Sequence, residues 1–353
     1  MKINQNSDNS IHLSIKKGLI FLNANQLKSG EFISYRSTDP KMIEDCEFDS
    51  SPFPTALICY CLSFSEEDIS KKMIENAIQF LLSEMEANGI WRYWTKQHQY
   101  HGNIPPDLDD IACVSSVLKQ NNITFPNNEK ILLANRNNND LFYTWIVPRL
   151  RLPKGLSHWK VAMREGLKPF NLYYFWKLNE SKPNDIDGVV NANVLNYLGE
   201  SKETESVVKY LMDIVRNDKE ENCDKWHLSK YNYYYFLSKN YYAGIHSLSP
   251  VREICIRKIL SDVNNNGTIG KNILETALAI CTLLNWSSNS EAIQKGVNAI
   301  LQEQTEFGNW KILPFYYGGP KKYFGWGSKE ITTAFCLEAL TRYIKENKKT
   351  KYI

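Results

Sequence analysis

An all-α fold, an (α/α)6 ring of six outer and six inner helices, is the architecture that this 353-residue sequence predicts. Three observations predict it. Amphipathic helical segments alternate along the chain with markedly more apolar ones. The resulting units have similar lengths, which points to internal repetition. Strand-type alternation is scarce. Both ends of the chain carry well-formed units and neither offers a polar capping repeat, so a closed ring explains the pattern better than an open solenoid. Six apolar helices then share one interior. The expectation is one toroid domain over residues 1–353, with a cavity at one end and a flexible N-terminus over about residues 1–10.

In chain order, Ile15, Leu19 and Leu22 recur at helical spacing within 11–26 and mark an outer helix, which Gly30 ends. An acidic linker covers 37–50, and Pro52 and Pro54 open an apolar inner helix. Residues 68–86 are outer again. GIWRYW and a polar loop lead to the inner helix after Asp107. A short helix over 126–133, an irregular loop from Asp140 past Pro153, and a helix over 158–165 follow, with PFNLYYFWKLN after it. GVVNANVLNYLG reads as inner and 204–215 as its outer partner. The tyrosine-rich run 226–238 leaves helix and strand both open. Pro250 opens an outer helix and Gly270 precedes an inner one. NSEAIQKGVNAILQEQ and EITTAFCLEALTRY form the last outer and inner pair, separated by a loop rich in Phe, Tyr and Gly.

Composition narrows the function. A net charge of +3, from 42 basic and 39 acidic residues, gives no electrostatic case for nucleic acid or a strongly anionic membrane. The 8 cysteines show neither zinc-type nor disulfide-framework spacing, so reduced, mostly buried thiols are expected. The polar start lacks a signal-peptide apolar core, and no apolar run is long enough for a bilayer. The cytoplasm is the expected compartment.

The chemistry gathers in HGNIPPDLDDIACVSSVL, residues 101–118. Pro105 and Pro106 suit a helix start, Asp107 suits the N-cap, and Asp110 stands three residues on. Ile111, Cys113, Val114, Val117 and Leu118 leave that helix too little polar surface to lie in water. Asp107, Asp109 and Asp110 then meet a low-dielectric interior at a helix end rich in N–H donors. Burial and like charge favour the protonated acid, and the donors favour the anion. Three coupled carboxylates do not all ionise cheaply. A proton retained over an apolar cavity can be given to an alkene. Helix capping alone, or magnesium binding, also accounts for the same residues, and their spacing does not choose.

The repeats and this motif together resemble the terpenoid cyclase and protein prenyltransferase superfamily. IENAIQFLLSEMEANGIW and EAIQKGVNAILQEQTEFGNW look like its glutamine–tryptophan repeats, the second more fully through Gln304, Gly308 and Trp310. IKKGLIFLNANQLKSGEF is a weaker copy, with Gln26 and Gly30 in place and Phe32 where tryptophan stands in the family. DLDD at Asp107–Asp110 matches the DxDD pattern of class II terpene cyclases. The resemblance implies protonation of a polyene isoprenoid by Asp109, with Asp107 and Asp110 tuning it, and aromatic faces stabilising the cation. Expected substrate contacts are Trp91, Trp94, Asn191, Asn193, Tyr234, Phe315, Tyr316 and Trp326. Magnesium is expected only if the substrate carries a diphosphate, in which case Lys321 and Lys322 are candidates to attract it. The family's usual second helical domain has no counterpart here, so the aromatic insertions or a homodimer would close the cavity.

The zinc site of the prenyltransferase branch is not matched. Cys223, Asp224 and His227 are expected as solvated loop residues, and His101 as a partner of the acidic cluster or a solvated side chain. Glu275 and Glu330 begin their inner helices, where capping is the simpler reading. Two rival functions stay open: another carboxylate-dependent lyase, isomerase or transferase, and a toroid that binds a hydrophobic ligand or peptide.

Overall fold

The structure, a computed structural model, describes residues 5–149, 155–167, 169–178 and 180–351. Outer α1 (Gln5–Asn25) leads to inner α2 (Pro52–Leu62), and outer α3 (Asp68–Glu84) to inner α4 (Leu108–Gln120). A short α5 (Glu129–Ala134) takes the next outer place. It is followed by two extra helices, α6 (Leu156–Gly166) and α7 (Pro169–Leu178), before inner α8 (Gly188–Leu198). Outer α9 (Glu205–Arg216), inner α10 (Lys230–Tyr242), outer α11 (Arg252–Leu260), inner α12 (Ile273–Asn285), outer α13 (Glu291–Glu303) and inner α14 (Lys329–Lys351) complete the series. The inner helices pack in the order α2, α4, α8, α10, α12, α14, and α14 packs back on α2, so the ring is closed.

Burial follows the sequence pattern. In α2 only Tyr60 escapes full burial, whereas α9 buries Val207, Val208, Leu211, Met212, Ile214 and Val215 and exposes Lys209, Asp213 and Arg216. An inner helix is apolar all round because neighbours cover it on every side; an outer helix has one face in water. Side-chain caps start many of the helices: Ser51, Asp107, Ser229, Asn272, Ser290 and Ser328 each accept a backbone N–H from the first turn.

The glutamine–tryptophan segments join the outer layer. Trp91 and Trp310 each donate Nε1–H to a carbonyl ten residues earlier, Leu81 O and Ile300 O, at 2.8 Å. Gln26 donates to Gly30 O at 3.0 Å and to Met73 O of α3 at 2.8 Å. Gln304 donates to Gly308 O at 2.8 Å and to Ser14 O of α1 at 3.0 Å, which ties the last outer helix to the first. Gly30 and Gly308 have φ of +94° and +90°, and a Cβ would stand 2.1 Å from Asn76 O and 2.4 Å from Lys17 O. The turns therefore require glycine. The backbone bridge Gln26–Phe32 recurs as Arg136–Phe142 and Val263–Ile269, in units that lack the glutamine and the tryptophan.

Four short strands were not anticipated. β1 (Tyr35–Ser37), β2 (Cys46–Phe48), β3 (Pro314–Tyr317) and β4 (Gly325–Gly327) form an antiparallel sheet in the order β2-β1-β4-β3. It staples the two end segments together beside the α14–α2 seam. The acidic linker thus supplies a strand, and the Phe/Tyr/Gly loop is a hairpin. Strands of three or four residues are too short for alternation to register in a sequence. The run 226–238 is resolved in favour of helix from Lys230 on, within α10, and 226–229 form the loop ahead of it. The stretch expected to be flexible is helical from Gln5, and residues 1–4 lie outside the described residues. Of PFNLYYFWKLN, Pro169–Leu178 forms α7, and residue 179 lies outside the described residues. Of the irregular loop, residues 150–154 lie outside the described residues. No helix among the described residues is long and apolar enough to cross a membrane.

Candidate active site

A cavity of about 440 Å³ opens at the N-terminal ends of α2, α4 and α8. Phe53, Asp107, Asp109, Asp110 and Val190 come from those helix starts. The sheet contributes Arg36, Tyr316 and Trp326, and the loop after α3 contributes Tyr93, Trp94 and Tyr100. The far wall is Trp145, Phe175 of α7 and Trp226. The α6–α7 pair is held there by a buried guanidinium. Arg92 Nε meets Glu86 Oε1 at 2.7 Å, and its Nη1 meets Glu165 Oε2 of α6 at 3.0 Å. Sheet and insertion are walls that the ring helices alone do not provide.

Asp107 caps α4 by accepting from Asp110 N at 2.9 Å. Asp109 accepts from Asn193 Nδ2 at 2.7 Å through Oδ1, and its Oδ2 faces His227 Nε2 at 3.4 Å. Asp110 is buried, and its Oδ2 has no hydrogen-bond partner among the described residues. Burial, reinforced by the charge of Asp109, pushes the Asp107 carboxyl up to about 7. Burial and the charges of Asp107 and Asp109 push Asp110 well above the usual carboxylate range. The cluster therefore retains protons near neutral pH.

His227 connects this cluster to the opposite wall. Asn232 Nδ2 lies 3.1 Å from its Nδ1, which leaves Nε2–H to face Asp109. Burial alone would lower the imidazole's pKa; the bond to Asp109 and the charge of Asp224 more than offset this, and the net shift is upward. Asp224 positions the loop. It accepts from Trp226 N and His227 N at 2.8 Å and from Val189 N of α8 at 3.1 Å. Burial raises the Asp224 carboxyl, against the His227 charge and these donors.

Asp49, at the end of β2, organises the aromatic wall. It accepts from Trp326 Nε1 at 2.7 Å and Trp94 Nε1 at 3.1 Å, and lies 3.4 Å from the Tyr93 hydroxyl. Tyr93 and Tyr316 share a hydroxyl contact of 2.8 Å, and Tyr316 stacks on Trp326 with ring centres 5.8 Å apart. These aromatic side chains, with His98 Nε2 at 3.2 Å, converge on one buried carboxylate, which fixes how their faces stand.

Of the residues expected to touch substrate, Trp94, Tyr316 and Trp326 line the cavity. Asn193 reaches it through Asp109. The other four are corrected. Trp91 is spent on the Leu81 carbonyl and packs on Phe125. Asn191 is saturated by backbone: it donates to Phe142 O and Asp187 O and accepts from Phe142 N. Tyr234 turns outward and donates to Glu220 Oε1 at 3.1 Å. Phe315 stands behind His227, stacked on Phe335.

Asp224 and His227 correct the expectation of solvated loop residues, since both are buried and line the cavity. Cys223 is half-buried, and burial raises its thiol pKa. Asp224 three residues before His227, just ahead of the Ser229 cap, was the available signal: an Asx-type turn delivering a histidine to a helix start. His101 bonds Trp94 O at 2.8 Å and meets Glu86 at 3.1 Å, away from the aspartates. Glu275 accepts from Ser229 Oγ at 2.8 Å; neither it nor the buried Glu330 lines the cavity. Lys321 pairs with Glu180 at 2.7 Å and Lys322 lies over Tyr317. Among the described residues, no group of three or more His, Cys, Asp or Glu side chains could hold a metal ion.

No protein-family model matches the chain, and no curated protein is similar to it in sequence. Solved structures are similar to it in fold. A protein from Actinoplanes has a TM-score of 0.71 at 16% identity, over 94% of this chain and 99% of that one. The type II terpene cyclase MstE from Scytonema, without ligand, has a TM-score of 0.69 at 13% identity, over 96% and 99%. ent-Copalyl diphosphate synthase from Streptomyces platensis has a TM-score of 0.55 at 17% identity, over 82% of this chain and 50% of that one. The shared feature is the α/α toroid.

Proposed function

We propose that the protein is a protonation-initiated cyclase of an isoprenoid polyene. The observation that carries this reading is Asp109: a carboxyl at a helix start, lining an aromatic cavity, with one N–H donor at each oxygen. MstE, whose fold is similar, is known in complex with geranylgeranyl dihydroxybenzoate, its substrate.

Asp109 gives its proton to the terminal alkene. The carboxylate left behind accepts from Asn193 Nδ2–H and His227 Nε2–H, one donor at each oxygen. Burial biases Asp107 and Asp110 toward their neutral forms, which lessens the negative charge beside it. The cation formed faces Phe53, Tyr93, Trp94, Tyr316 and Trp326, whose rings are negative above and below their planes. The walls from the sheet and from α7 keep water from the cation.

The test is product formation from linear isoprenoids by the wild-type protein and by Asp109→Asn. The expected loss is about a hundredfold or more, the usual size of a general-acid contribution, with an unchanged thermal midpoint. An unaltered product rate rejects Asp109 as the acid. Polyene binding by both proteins without any product would identify a ligand-binding toroid instead.

A further inference from the structure

We propose that the cavity selects a polyene whose polar end is a single carboxylate, held at the mouth by Arg36, and that it discriminates against a diphosphate. This deepens the cyclase reading and rests on it for the polyene part. One row of residues crosses the sheet. Glu47 pairs with Arg36, Arg36 with Trp326, and Trp326 with Tyr316. Residues opposite one another in antiparallel strands share a face, and Arg36, Trp326 and Tyr316 all line the cavity.

The row reads as a depth scale. The side chains of Glu47 and Arg36 are 75% and 27% exposed, while Trp326 and Tyr316 are buried. Tyr316 lies against His227 at 5.9 Å between ring centres, and His227 faces Asp109. Arg36 therefore stands at the mouth, roughly 10 Å from Tyr316 by two strand spacings, with the acid beyond. A substrate held at Arg36 by its head presents its tail to Asp109.

Arg36 is the one permanent cation among the described residues that line the cavity, against the four carboxyl groups of Asp107, Asp109, Asp110 and Asp224. It meets Glu47 at 3.2 Å and lies 5.1 Å over the Phe324 ring. An ion pair with so exposed a glutamate is weak, and a planar carboxylate can replace it in a two-pronged bond to the guanidinium. The buried Nε1–H groups of Trp145 and Trp226, which also line the cavity, have no acceptor among the described residues. A diphosphate brings several negative charges where one cation waits, so most of its charge finds no partner among the described lining residues. No described cluster of carboxylates or imidazoles could hold a bridging metal ion there.

The experiment measures binding without chemistry. Asp109→Asn is titrated with polyenes of one chain length ending in a carboxylate, an alcohol or a diphosphate, the last with and without magnesium, following tryptophan fluorescence. The carboxylate should bind about tenfold tighter than the alcohol or more, as for a charge-assisted bond, and tighter than the diphosphate. Adding Arg36→Ala should erase the preference and leave alcohol binding unchanged, which also certifies an intact cavity; Arg36→Lys should restore part of it. A diphosphate that binds tightest, a carboxylate affinity indifferent to Arg36→Ala, or no binding by any of the three overturns the proposal. Failure of the cyclase reading is seen separately, as wild-type protein that shows the carboxylate preference yet forms no product.

Discussion

Glu338 and Asp110 are both carboxyl groups buried inside the ring, and they are finished in opposite ways. Glu338, on α14, accepts from the Tyr235 hydroxyl at 2.8 Å and from Arg342 Nη1 at 2.9 Å. Arg342 is in turn packed over Phe64 and Tyr242 at 4.6 and 4.5 Å. Nearby, Lys239 lies over the Tyr60 ring at 3.7 Å, and burial lowers its pKa. Asp110, on α4, has one oxygen with no partner among the described residues and two aspartates beside it. One part of the ring is filled, and its carboxylate is paired. The other is hollow, and its charges are left in need of protons. The hollow part sits at the helix starts, where N–H donors can stabilise a carboxylate that has just lost a proton.

The strongest way to break this comparison is to remove a partner in the filled part. Glu338→Ala leaves Arg342 buried without its counter-ion, and should cost about 3–5 kcal/mol of stability, read from a denaturant midpoint. A cost below about 1 kcal/mol, the worth of a surface pair, would show that the two parts do not differ as described.

In the hollow part the corresponding change should be mild or favourable. Asp107 titrates near 7 in the fold against 3.8 ordinarily. Between these values the folded chain holds a proton that the unfolded chain has released, so stability falls as pH rises from about 4 to about 7 and levels above. His227, with a raised pKa, acts in the same direction, since its contribution is lost as pH rises through its folded value. Asp110, itself raised well above the ordinary carboxylate range by burial and by Asp107 and Asp109, acts the same way, so Asp110→Asn should flatten this slope, and at pH 8 it should raise stability or leave it within about 1 kcal/mol. Denaturation at pH 5 and pH 8 measures both. A large loss at pH 8 would mean that Asp110 is a structural partner after all.

The smallest effect separates two tryptophans only three residues apart. Trp91→Phe deletes the bond to Leu81 O and should cost about 1 kcal/mol, with polyene affinity unchanged. Trp94→Phe, on the cavity wall, should change affinity by a few-fold. Equal effects on binding would return Trp91 to the site.

How far this was readable differs from residue to residue. Asp107, Asp109 and Asp110 announced themselves because a cap, two prolines and an apolar run are contiguous. Asn193 is expected in the site from its place in an apolar helix, but its bond to Asp109, 84 residues away, is not legible, nor is that of His227, 118 residues away. His227 reads as a solvated loop residue, because the Asx-type turn set by Asp224 marks a helix start and not burial. Asn191 and Asn193 look alike in GVVNANVLNYLG, yet they point to different neighbours, one to the Phe142 backbone and one to Asp109.

The sequence by itself determined the alternation of outer and inner helices, the turns that need glycine, and an acidic helix start next to an apolar face. Those are set by helical periodicity, capping and backbone strain, all of which act within a few residues. Tertiary structure decided which aromatic rings line the cavity, that Asp49 reaches Trp326 from 277 positions away, and that the two end segments meet in one sheet. A helix that is apolar on every side carries no record of which side faces the hollow. Only closure of the ring, helix against helix, assigns each side chain to core or cavity.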